Sequence, residues 1–194
     1  MAEYKDIHGT TVRTSAGNLA GAKTGELFFD STNRDFKYQF PGVTSAGAWR
    51  SGGNLNSARY GLGNAGSYTS ALGFGGRPPN STGITESYNG ATWTEVSDLN
   101  TSRAYPSGAG ISNTSALAYG GNNIPANTVL NSAESWDGST WTAVNSLNTA
   151  RRFAALGNGT QTAALCIGGD QDPPRVAIVE QWNGSNWTEV GDLN

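Results

Sequence analysis

Thr101-Ser-Arg103-Ala-Tyr-Pro-Ser-Gly-Ala-Gly110-Ile-Ser-Asn-Thr-Ser-Ala-Leu-Ala-Tyr119-Gly-Gly121 opens a stretch of sequence that closes with Ser132-Ala-Glu134-Ser-Trp136-Asp-Gly138-Ser-Thr-Trp141-Thr-Ala-Val144-Asn-Ser-Leu147-Asn148. The chain writes this stretch three times, over residues 57–100, 101–148 and 149–194. Trp93, Trp141 and Trp187 stand 48 and 46 residues apart, and Leu55, Leu99, Leu147 and Leu193 stand 44, 48 and 46 apart. The period fixes the building unit before any single residue is interpreted.

Within the middle copy, Thr114 to Tyr119 alternates small and large residues and runs into Gly120-Gly121. That pattern predicts a strand that ends where backbones approach closely. Pro106 to Gly110 reads as a Gly-rich stretch following a first strand. Glu134-Ser-Trp136, Asp137-Gly138 and Ser139 to Val144 read as a hairpin, because Asp-Gly between apolar runs suits a two-residue turn with both residues at positive φ. Asn89-Gly90 and Asn183-Gly184 repeat the signal. Each copy is thus expected to be a four-stranded antiparallel sheet. A period near 45 residues built from such sheets points to the blades of a β-propeller.

The repeat extends upstream in part. Phe36 to Gln39 and Ala48 to Asn56 match the second half of a copy, with Trp49 in the place of Trp93. Gly25 to Phe29 and Phe36 to Phe40 suggest a hairpin around Asp30 to Asp35. The expected organisation is an N-terminal arm or anchor over 1–24, a hairpin and partial blade over 25–56, and three whole blades. Three and a half blades do not close a ring, so further copies of the chain or additional blades are expected to complete it. Two copies would give seven.

Composition excludes several classes. Of the 194 residues, 27 are glycine, about twice the usual share of roughly 7%. Charged residues make up 14%, the net charge is −3, and all three lysines (Lys5, Lys23, Lys37) lie in the first fifth. No basic stripe suits a nucleic-acid backbone. No apolar run approaches the roughly 20 residues of a membrane helix. The opening MAEYKDIHG lacks the apolar core of a secretory signal, so the several Asn-x-Ser/Thr triplets are not read as glycan sites. The lone Cys166 rules out an internal disulfide framework.

The candidate chemistry is thin. Gly61-Leu-Gly63-Asn-Ala-Gly66 spells a dinucleotide fingerprint but stands in a strand repeat, so it reads as a turn. Glu86, Glu134 and Glu180 recur with Arg59, Arg103 and Arg151. Recurrence in every copy suits scaffolding, since chemistry needs different groups gathered at one place. Cys166 aligns with Gly73 and Ala118, and the one histidine, His8, lies in the leader. Trp93, Trp141 and Trp187 read as packing between copies. No catalytic set, metal site or cofactor is expected. Recognition is placed where the copies differ: the loops of nine, twelve and ten residues between the double glycine and the recurring glutamate. The contact candidates there are Arg77, Asn80, Asn122, Asn123, Asp170, Asp172 and Arg175.

Gly75-Gly76…Tyr88…Trp93, Gly120-Gly121…Trp136…Trp141 and Gly168-Gly169…Trp182…Trp187, in register with the LNxxR turn, resemble the kelch repeat. The resemblance implies four-stranded propeller blades that act mostly as binding scaffolds. The opening MAEYKDIHGTTVR, the segment GELFFDSTNRDFKYQ and the SGGNLN-type repeats are similar to kelch-like virion proteins of tailed, especially marine, phages. That likeness implies a tail-fibre or surface-decoration protein on the phage particle. Its N-terminal part would bind other virion proteins, and its distal part would face a host surface glycan or protein. Two alternatives stay open: a cellular kelch-type protein-interaction scaffold and a sugar-active propeller enzyme.

Overall fold

The computed structural model describes residues 13–15, 27–38, 51–155 and 159–194. The chain divides into two units, Met1–Arg50 and Ser51–Asn194. In the first, β1 (Arg13–Ser15) pairs in parallel with β2 (Leu27–Asp30), and β2 pairs antiparallel with β3 (Asp35–Tyr38). The β2–β3 turn is fixed by Asp30, whose carboxylate accepts Thr32 N–H at 3.0 Å and Asn33 N–H at 3.3 Å. Strand β1 lies inside the stretch read from sequence as an arm, because three residues are too few to show alternation. The rest of 1–24, and residues 39–50 with Trp49, lie outside the described residues; Phe36 to Tyr38 of the partial repeat form part of β3.

The second unit carries the repeats. Module 1 is a four-stranded antiparallel sheet of β4 (Gly63–Ser67), β5 (Ser70–Phe74), β6 (Thr85–Tyr88) and β7 (Trp93–Val96) in sequential order. Module 2 begins with β8 (Ser107–Ser112) and β9 (Ser115–Tyr119). Its variable loop forms a two-residue ribbon, β10 (Asn122–Asn123) on β11 (Thr128–Val129). β12 (Ala133–Trp136) and β13 (Trp141–Val144) complete its four-stranded sheet. Module 3 comprises β14 (Ala164–Asp170), β15 (Arg175–Trp182) and β16 (Trp187–Val190), and a Gly159–Ala164 bridge stands where the other modules have their first strand. There is no helix among the described residues. The all-β, antiparallel architecture expected from the repeat is the one observed, and each sheet is open.

Two local readings need correction. The Gly-rich stretches are the first strands themselves. β4 and β8 run close together, so a Cβ on Gly108 would lie 2.4 Å from the Asn64 carbonyl oxygen, and within module 1 a Cβ on Gly63 would lie 2.5 Å from the Phe74 ring of the paired β5. The GxGxxG residues therefore belong to a bend and an inner strand, where small side chains let neighbouring modules approach. The Asx-Gly hairpins are four-residue loops, since Trp136 pairs with Trp141 across residues 137–140. Only the glycine takes positive φ (Gly138, 99°). Asp137 instead uses its carboxylate to hold the amides of Ser139 and Thr140, each at 2.8 Å.

The core sits at the junctions between modules. The Trp141 ring packs edge-on against Phe74 of module 1 at 5.1 Å between centroids, and Trp187 packs on Tyr119 of module 2 at 5.0 Å. The Trp141 indole N–H donates to Thr85 Oγ1 at 3.1 Å, again across the junction. Asn113 and Gln161, at the tips of the inner hairpins, reach back to the preceding module and donate to the Tyr88 and Trp136 carbonyls. The corresponding face of module 1, with Leu62, Ala71 and Trp93, borders a cleft of about 530 Å³.

Candidate functional site

The use made of the recurring polar residues decides what is left for recognition. Glu134 is buried on β12 opposite the small Ala118 of β9. One of its oxygens accepts Asn100 N–H at 2.8 Å and Asn100 Nδ2 at 2.9 Å, and the other accepts Thr101 N–H at 3.1 Å and Arg103 at 2.7 Å. Asn100 Nδ2 also donates to the Trp141 carbonyl at 2.8 Å, and Arg103 to the carbonyls of Gly120 and Ser132. Asn56, Arg59 and Glu86 build the same clamp in module 1, as do Asn148, Arg151 and Glu180 in module 3. Small residues, Gly73 and Cys166, again face the glutamates. Burial works to raise the Glu86 carboxyl. The Arg59 hydrogen bond and the amides of Asn56 and Ser57 outweigh it and hold Glu86 below the ordinary range.

The clamp shows that each Leu-Asn turn belongs with the sheet after it. Asn100, at the end of the first sequence copy, docks on Glu134 of the second module. The double glycine completes the link. Gly76 N–H donates to the Arg103 carbonyl at 2.8 Å and Gly121 N–H to the Arg151 carbonyl at 2.9 Å. A Cβ on Gly75 or Gly120 would fall 2.6 or 2.4 Å from those arginine carbonyls. Gly168 and Gly169 hold the same left-handed backbone, with φ of 60° and 122°.

The variable loops gather on one side of the modules and touch one another. Ser81 exchanges hydrogen bonds with the Ile124 backbone at 3.0 Å in both directions, joining the loops of modules 1 and 2. Asn127 Nδ2 donates to Asp172 at 3.1 Å, joining those of modules 2 and 3. Arg77 lies over the Tyr60 ring at 5.6 Å and donates to the Pro79 carbonyl. Asn80 is exposed and Asn123 half-buried. Asn122 is buried, paired across the ribbon with Val129, and its amide turns to Asn127, so it shapes the loop and does not present itself to a ligand. Asp170 and Asp172 face Arg152, at 4.0 and 2.8 Å. Arg175 is exposed on the same hairpin.

Sequence reading missed the aromatic side chains beside these loops. Tyr105 and Phe153 stack with centroids 4.3 Å apart, and Tyr60 lies 6.3 Å from Tyr105. Tyr105 and Phe153 occupy the position of Gly61, two residues after each clamp arginine. Superposing the three copies on Arg59, Arg103 and Arg151 would have exposed that Gly–Tyr–Phe substitution. Elsewhere the chemistry is quiet. Burial pushes the Cys166 thiol up to about 11 against the pull of Arg151, whose Nε lies 3.2 Å from its sulfur, so the thiol stays protonated at neutral pH. Among the described residues no cluster of three or more His, Cys, Asp and Glu side chains could hold a metal ion. Among the described residues there is no helix long and apolar enough to cross a membrane.

No protein-family model matches the chain, and no curated protein sequence matches it.

Proposed function

We propose that this chain is a non-enzymatic component of a phage particle, of the tail-fibre or surface-decoration type, whose modules are blades of a kelch-like propeller. The observation that carries the reading is how the recurring polar groups are used. Every repeated Asn, Arg and Glu of the clamps is committed to holding a module's sheet to the turn that enters it. Freedom to vary is left to the loops, which is the division of labour of a binding scaffold. The β2–β3 hairpin, capped by Asp30, carries the GELFFDSTNRDFKYQ segment that resembles phage fibre proteins. In this reading residues 1–50 attach the chain to other virion proteins and the loop side meets a host surface molecule. Further copies of the chain, or additional blades, complete the ring.

Deleting residues 1–40 tests the attachment. The shortened chain should fold but fail to enter particles, and undiminished incorporation would overturn the virion reading. Locating the chain by electron microscopy of intact particles would check copy number and ring closure together. Turnover of a glycan that copurified with the chain at every step would end the non-enzymatic part of the proposal.

A further inference from the structure

We infer that Tyr60, Tyr105 and Phe153, with Arg77 at one end, form a binding platform for an acidic oligosaccharide. This names the ligand class of the host-contacting side just proposed and rests on that reading for its biological setting.

The first observation is backbone strain in an unexpected place. The chain bends back two residues after each clamp arginine, and the bend takes left-handed φ in all three modules: 63° at Gly61, 55° at Tyr105 and 57° at Phe153. Glycine adopts this conformation freely, whereas bulky aromatic residues rarely do. Two modules nevertheless place an aromatic there. Burial does not account for it, since Phe153 remains 53% exposed and Tyr105 only half-buried. Strain of this kind concentrates where a side chain is held out for use. Gly61 seats the arrangement, because a Cβ there would lie 2.5 Å from the Tyr105 ring.

The second observation is geometry. The rings of Tyr60, Tyr105 and Phe153 succeed one another across three modules in steps of 6.3 and 4.3 Å. Beside them lies an apolar cleft of about 240 Å³, bordered by Leu62, Pro106 and Ala154. The rings are tilted against one another, and Tyr60 (56%) and Phe153 (53%) keep enough exposed aromatic surface for the C–H faces of sugar rings to lie against.

The third is charge. Arg152 also lies against this row, over Phe153, but it is taken up by Asp172 at 2.8 Å and Asp170 at 4.0 Å, two carboxylates on one cation. Arg77 stacks on Tyr60 and meets the Tyr105 hydroxyl at 3.4 Å, and no carboxylate among the described residues pairs with it. Its guanidinium is therefore a fixed cation at one end of an apolar row. A carboxylate matches it, and exposed amides such as Asn80 on the same loop suit hydroxyl groups. A nucleic acid fits poorly, because the lysines all lie in the first fifth of the chain and the net charge is −3. An uronic or sialic acid oligomer combines the ring faces and the carboxylates that the platform addresses.

The test is calorimetric titration of the full chain with oligogalacturonate, with oligosialic acid, with the methyl esters of both and with an oligoglutamate peptide. At least one of the two acidic sugars should bind, and its charge-free ester should bind at least tenfold more weakly. Tyr105→Gly and Phe153→Gly put the residue of module 1 into the same backbone, so both variants should melt no lower than the parent while losing binding at least tenfold. Arg77→Ala should erase the preference for the acid over the ester. Failure of both acidic sugars to bind, or binding unchanged in Tyr105→Gly and Phe153→Gly, would overturn the inference. So would oligoglutamate binding as tightly as the sugars and indifferent to the ring variants, which would reassign the surface to acidic peptides. Particle incorporation plays no part in these measurements, so the platform and the virion reading can fail separately.

Discussion

Glu134 sits at the centre of one clamp with its four contacts drawn from Asn100, Thr101 and Arg103. Removing one partner of such a buried pair strands the other charge without water. Glu134→Ala should therefore cost about 3–5 kcal/mol in urea unfolding. Asp137 shows a milder electrostatic effect. The amides of Thr140 and Ser139 draw its carboxyl down to about 2 from an ordinary 3.8. A depressed acid contributes stability that is present above the unfolded value and lost as the pH falls through the folded one. The loss from this residue should fall between about pH 4 and pH 2. Asn89 and Asn183 cap the equivalent loops with an amide oxygen, so Asp137→Asn should keep the fold and flatten stability across that interval in unfolding curves at stepped pH. A third residue records a missing bond. Trp141 donates to Thr85, whereas the Trp187 indole N–H is buried without a partner. The residue of module 2 in register with Thr85 is Ala133. Ala133→Thr should supply the acceptor and raise stability by about 1 kcal/mol, read as a higher urea midpoint at unchanged slope.

At the scale of the element, the inner strands are set by how closely they approach one another. Gly110 N–H donates to the Gly159 carbonyl at 3.1 Å, and Gly108 faces the Asn64 carbonyl and the Phe74 ring. A side chain at Gly108 has nowhere to go, although its φ is one that alanine accepts. Gly108→Ala should destabilise by about 1–3 kcal/mol through overpacking, while an alanine at Gly191, which has nothing within 4 Å of the added carbon, should be near neutral. Thermal melts of the two variants side by side check the difference. The outer hairpins obey another rule. Their edges are exposed and their turns are closed by Asx side chains, so they tolerate exchange where the inner strands do not.

At the scale of the whole repeat unit, stability is distributed along a row. Each clamp ties one module to the turn that enters it, and adjacent clamps share a sheet. Asn100→Ala loosens module 2 and Asn148→Ala loosens module 3, neighbours joined by the Gly121 to Arg151 hydrogen bond. Their combined effect should deviate from additivity by about 0.5 kcal/mol or more, while Asn56→Ala with Asn148→Ala, two junctions apart, should add within about 0.5 kcal/mol. Urea denaturation of the three single and two double variants measures both couplings. A single non-local core would couple all pairs alike and would contradict this nearest-neighbour picture.

The period, the double glycines and the spaced tryptophans were enough to determine an all-β chain of repeated antiparallel sheets, because those patterns report local geometry that every copy must satisfy. The β2–β3 hairpin was legible for the same reason. Three things were decided only in three dimensions. The Gly-rich stretches became strands because β4 and β8 leave no room for side chains, and proximity across modules is invisible to a local pattern. The Leu-Asn turns went to the following sheet because Asn56, Asn100 and Asn148 find their glutamates some thirty residues ahead. The row of Tyr60, Tyr105 and Phe153 emerged because residues one repeat apart are neighbours in space, where packing and charge act on distance and take no account of sequence separation.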